Sequence, residues 1–108
     1  MKYVSFYRPD SKEISLGRLD GEKVVELVSS EGKGTDLKTA LSMDVLNTLI
    51  DGDTFNREEI KLLPVVVDPG KILCVGLNYD SHRKEAGREE KEHPAIFIRY
   101  ADSLIAHG

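Results

Sequence analysis

The tripeptide Asp68-Pro69-Gly70 constrains this chain more than any other feature. Proline fixes its own φ and pushes the residue before it out of helical geometry. Glycine then allows the chain to turn in any direction. No helix or strand runs through such a triplet, so it predicts a joint. The charge balance changes at the same place. Residues 1–70 carry 13 acidic and nine basic side chains, and the remaining 38 carry six of each. The expected organisation is a small α+β domain over 1–67 and the opening of a second domain over 68–108.

The first part reads as a small antiparallel meander with a helix. Tyr3-Val4-Ser5-Phe6-Tyr7 is aromatic and β-branched, and Ile14 to Leu19 alternates with period two. Pro9-Asp10-Ser11-Lys12 is a turn, and Asp20-Gly21 is a hairpin signal leading into Glu22 to Val28. Thr35 or Asp36 caps a helix whose apolar face is Leu37, Ala40, Leu41, Val45 and Leu49. Met43-Asp44 marks a break in it, and Gly52 is its expected stop. Arg57-Glu58-Glu59 starts a short helical turn, and Leu62 to Val67 is extended.

The second part opens with Lys71 to Gly76, a buried strand by composition. Asp80 or Ser81 caps a short helix ending at Gly87, and Arg88 to Glu92 is a charged loop. Pro94 to Tyr100 is a further strand. The whole is of the α+β class.

Composition excludes several functions. The net charge of −4 leaves no basic face for general nucleic-acid binding. Cys74 is the single cysteine, which removes disulfide frameworks and CxxC zinc sites. There is no apolar signal core at the start and no membrane-length apolar run. A reducing cytoplasm is the expected location.

The strongest constellation is Gly76 to Glu85. A strand ends in glycine, and a short helix places His82 and Glu85 on one face. A carboxylate beside an imidazole sets its tautomer and favours its protonated form, which suits a general base or acid. The alternative is an ordinary surface pair at helical spacing. Arg99 can grip a carboxylate bidentately or simply reach solvent from its strand. Tyr79 can hydrogen-bond a substrate oxygen or lie buried with its hydroxyl satisfied. Cys74 reads as inert core, and His93 and His107 lack zinc spacing.

The run Asp68 to Tyr79, followed by His82 and Glu85, resembles the fumarylacetoacetate hydrolase family. Pro94 to Arg99 with Ser103-Leu104 resembles that family's next strand, and the first domain resembles its small preceding domain. The resemblance implies a β-rich, β-roll catalytic domain beginning at the joint. It implies an enzyme that hydrolyses carbon–carbon bonds of oxo acids or β-diketones, or a related decarboxylase or hydratase-isomerase, of the kind used in aromatic catabolism. His82 and Glu85 match the family's dyad, and the segment bearing them its lid. Tyr79, Arg99 and Ser103 fall where substrate is met. A divalent metal is implied, Mg²⁺ first and Mn²⁺ or Ca²⁺ in its place, chelating a small oxo-acid substrate in a homodimeric enzyme. The family's metal carboxylates, a Glu-x-Glu pair and an Asp, lie farther along than residue 108. Val75 stands where some relatives have Asp, Arg99 where many have Lys, and Ala106 where Gly is common. The catalytic domain needs roughly 200 residues. The isolated chain is therefore expected to be truncated and inactive, with no tightly bound metal. Its alternative role is a non-catalytic domain or fragment. Such a fragment associates through open strand edges with another copy or with the rest of a catalytic domain.

Overall fold

The structure, a computed structural model, describes residues 1–76 and 95–107. Two compact units are present: Met1–Asp68 together with Leu104–Gly108, and Pro69–Ser103. The predicted helix and loop over 80–92, and with them His93, lie outside the described residues.

The first unit is an antiparallel sheet of β1 (Tyr3–Tyr7), β2 (Ile14–Asp20), β3 (Lys23–Val28), β4 (Ile50–Asn56) and β5 (Lys61–Leu63), in the order β4-β3-β2-β1-β5. One short helix, α1 (Leu37–Ser42), accompanies it. The architecture is α+β, dominated by antiparallel sheet. The β2–β3 hairpin pairs Asp20 with Lys23, so its loop residues are Gly21 and Glu22. Gly21 has φ of 60° while Glu22 stays negative, the geometry of a hairpin turn with glycine first. The Asp-Gly signal marks the turn, but its loop sits one residue later.

The helix is shorter than its apolar pattern predicts. Asp36 caps it: Thr39 N donates to Oδ1 at 2.9 Å and Thr39 Oγ1 donates to Oδ2 at 2.8 Å. It ends at Ser42, and Asp44 turns left-handed with φ of 53°. A 3-10 turn, Leu46–Thr48, follows. Gly52 is not a helix stop, because it lies inside β4. The open edge of β3 recruits this Asp- and Gly-rich segment as a strand. The register slips there, since Val25 faces Thr54 but Leu27 faces Asp51. The one extra residue on β4 makes a bulge, with Gly52 and Asp53 together opposite Glu26.

Chain connectivity forces the sheet to curl. Four inter-strand spacings would hold the edges of a flat sheet about 19 Å apart. The five residue steps from Asn56 to Lys61 span at most about 17 Å when fully extended. Part of that link is a 3-10 turn, Arg57–Glu59, so the true reach is shorter. The concave face therefore encloses Phe6, Val24 and Ile60, with Val4, Leu19, Phe55 and Leu62 against them. The Phe6 and Phe55 rings meet edge to face at 5.6 Å. The opposite face buries Leu16 and Leu27 under Ala40, with Leu37, Val45, Leu46 and Leu49 around them. The predicted apolar face of the helix thus does pack, although only part of it is helical.

The second unit contains β6 (Ile72–Gly76) paired antiparallel with β7 (Ala95–Arg99). Composition predicts β6 as buried. In the structure Leu73 and Val75 are 61% and 50% exposed, and Ile96 and Ile98 are 65% and 68% exposed. Among the described residues no second layer lies over this pair of strands. Nor is any helix among them long and apolar enough to cross a membrane.

Candidate functional site

The β6–β7 ladder defines where the candidate dyad is tethered. Gly76 pairs with Ala95, so the chain leaves β6 and enters β7 side by side. Residues 77–94 are strung between those two partners. Tyr79, His82 and Glu85 fall in that interval and lie outside the described residues.

Arg99 and Ser103 are described. Arg99 pairs with Ile72 at the other end of the ladder. Four residue steps separate it from Ala95, about 13 Å along a strand. By strand alternation it shares a face with Phe97, and it is exposed. Ser103 ends the 3-10 turn Ala101–Ser103 and donates its hydroxyl to Tyr100 O at 2.7 Å. Its oxygen keeps its acceptor capacity, but its proton is committed locally. No hydrogen bond among the described residues joins Arg99 to Ser103. Cys74 is half-buried rather than core, and His107 is exposed.

The family resemblance implies a divalent metal. Among the described residues no group of three or more His, Cys, Asp or Glu side chains is placed to hold one.

A second charged constellation escaped the sequence reading. Glu26 is 2% exposed on β3. Its Oε1 accepts from Ser15 Oγ at 2.7 Å, and its Oε2 accepts from Arg8 Nη1. Arg8 also donates through Nη2 to Asp53 Oδ2 at 2.9 Å and through Nε to Asp10 Oδ1 at 3.1 Å. Its guanidinium stands 5.5 Å over the Phe55 ring. Hydrogen bonds to Asp10, Glu26 and Asp53 hold Arg8 charged well above its ordinary range, and in return Arg8 holds the Asp10 carboxyl below its own. A guanidinium so held cannot trade protons. The cluster instead ties the β1–β2 loop to β3 and to the β4 bulge. The available signal was a lone Glu inside Val24-Val25-Glu26-Leu27-Val28, where a buried carboxylate needs an ion partner.

Comparison with known proteins completes the picture. The chain is 36% identical over 119 residues to a mitochondrial oxaloacetate tautomerase of Xenopus laevis, covering 97% of this chain and 36% of that protein. It is 27% identical over 112 residues to a fumarylacetoacetate hydrolase domain-containing protein 2 homolog of Dictyostelium discoideum, covering 91% of this chain and 36% of that one. An uncharacterized protein of Methanocaldococcus jannaschii is 44% identical over 54 residues, 50% of this chain and 20% of its own length. No family model matches the chain, and no solved structure does. The α+β fold stands beside relatives of which several are named as oxaloacetate tautomerases. The chain is similar in sequence to members of the fumarylacetoacetate hydrolase family. It spans 16–38% of the length of the curated relatives it matches.

Proposed function

We propose that the native polypeptide carrying this sequence is an enzyme that moves a proton between carbon and oxygen of a small oxo acid. The observation that carries this reading is the 36% identity, across 97% of the chain, to a protein named as an oxaloacetate tautomerase. Tautomerisation now stands ahead of carbon–carbon hydrolysis, which the dyad alone would equally suit. In this reading His82 removes a proton from the carbon beside the oxo group. Electrons shift onto the oxo oxygen, which takes up a proton, giving the enol; the reverse steps return the ketone. Glu85 holds the imidazole tautomer and stabilises its charged form. Arg99 pairs with a substrate carboxylate, and Tyr79 and Ser103 contact its oxygens. Residues 1–67 form the small domain, and 68–108 open a β-roll catalytic domain. A divalent cation, Mg²⁺ foremost, belongs to this reading as the group that polarises the oxo acid. A homodimer and a cytoplasmic location belong to it as well.

The test is His82→Ala in the native polypeptide, followed by the decay of enol oxaloacetate. We expect kcat to fall about 10²–10⁴-fold, the usual contribution of a positioned general base. Turnover within a few-fold of wild type would remove His82 from the base role.

A second reading is favoured by the exposed apolar side chains of β6 and β7. The 108-residue chain by itself would then act as an association module rather than as a catalyst.

A further inference from the structure

The β1–β2 loop is built as a rigid arm. Arg8 N donates to Glu13 O and Lys12 N donates to Arg8 O, both at 2.9 Å, which closes the loop on itself. The Arg8 side chain anchors it to β3 and β4, as described above. Lys12 sits in this loop with φ of 56°, a left-handed conformation that a lysine adopts only where its surroundings hold it. On the neighbouring strand, Lys61 of β5 pairs with Tyr7 of β1, so their side chains share a face.

Between loop and strand lies a cavity of about 540 Å³, lined by Tyr7, Arg8, Pro9, Lys12, Glu59 and Lys61. That size suits a small ligand. Its charges are three cations and one anion, within a unit where acids outnumber bases. Glu59 is already occupied, accepting from Asn56 N and Asn56 Nδ2. Arg8 is neutralised by its three carboxylates. Lys12 and Lys61 have no acidic partner within 4 Å among the described residues. Tyr7 and Pro9 supply the apolar part of the same lining. A neighbouring cavity shows the contrast. It shares Arg8 but carries Glu13, Glu26 and Asp53, so Arg8 is common to an acidic hollow and a basic one.

From this placement we infer that the basic cavity binds a small organic anion. Lys12 and Lys61 take its carboxylate or phosphate head, and Tyr7 with Pro9 takes a flat apolar body. The cavity lies wholly within the first unit and uses none of the residues assigned to proton transfer. The two proposals therefore stand or fall separately.

The experiment is an amide chemical-shift titration of the chain with phenyl phosphate and with benzoate, run beside inorganic phosphate, acetate and sodium chloride. Saturable shifts confined to Tyr7, Arg8, Lys12 and Lys61 are expected with the aromatic anions. Whichever of the two binds more tightly names the head group. The double variant Lys12→Glu, Lys61→Glu changes two exposed side chains and should weaken binding about tenfold or more, the worth of charge-assisted hydrogen bonds. Shifts that never saturate, that sodium chloride reproduces, or that survive the double variant would overturn the site. Equal affinity for inorganic phosphate and phenyl phosphate would overturn the part given to Tyr7 and Pro9.

Discussion

Gly17 has no sequence signal beyond its place in an alternating strand, yet the packing around it leaves no room for a side chain. A Cβ there would stand 2.7 Å from Val24 Cγ1, 3.0 Å from Val25 O and 3.1 Å from Phe6 Cε1. Val24 and Phe6 are fully buried, and the third neighbour is backbone, so none can swing aside. Gly17→Ala should destabilise the first unit by about 1–3 kcal/mol, the range for overpacking a filled core. Equilibrium urea unfolding measures this directly, and an unchanged midpoint would show that the sheet opens at low cost. The same scale explains why Glu26 was not legible. A one-dimensional pattern shows a charged residue in an apolar run, but its partners come from elsewhere in the fold, Arg8 from the β1–β2 loop and Ser15 from β2. Local spacing carries no trace of them. Tyr79, His82 and Glu85 are the opposite case. Residue type, spacing and family resemblance propose a role for them, and they lie outside the described residues.

At the scale of elements, strands with strong alternation or β-branched content were readable: β1, β2, β3 and β7 lie where their patterns put them. So was the N-terminus of α1, because capping is local chemistry. The far end of α1 and all of β4 were not. Ile50-Asp51-Gly52-Asp53-Thr54-Phe55-Asn56 has poor strand propensity. It becomes a strand because β3 has an unpaired edge to fill. A helix of six residues depends heavily on its cap. Asp36→Ala should therefore cost about 1 kcal/mol. The Asp36 carboxyl is held below its ordinary value first by the Thr39 backbone N–H and then by the Thr39 hydroxyl, with burial opposing. Because its folded value is depressed, its stabilisation is complete above the ordinary aspartate value of 3.8. It is lost as pH falls from there through the lower native value. Asp36→Asn keeps a capping oxygen without a titrating carboxyl. It should flatten that segment of the stability–pH curve, and an unaltered slope would assign the acid sensitivity elsewhere.

For the whole molecule, the two units differ in how far their described apolar side chains are covered. The first has apolar clusters on both faces of its sheet, each covered. The second presents Leu73 across from Ile98 and Val75 across from Ile96, four apolar side chains on one face of two strands. Phe97, on the other face, is 47% exposed. A two-stranded sheet is marginal in water, and contiguous apolar surface of this kind is normally covered. The edges of β6 and β7 also lack further strand partners among the described residues. A free edge beside an apolar face is a template for pairing with another chain. The 108-residue chain should therefore self-associate. Sedimentation velocity over a concentration series is expected to show the weight-average mass rising above the 12.0 kDa of the monomer. Ile96→Lys with Ile98→Lys places two charges on that face and should restore the monomer, while the far-ultraviolet spectrum of the first unit's sheet is kept. A wild-type chain that stays at monomer mass at every concentration would show that the face is covered from within. The association reading would then fall, leaving proton transfer by the native polypeptide as the function to test.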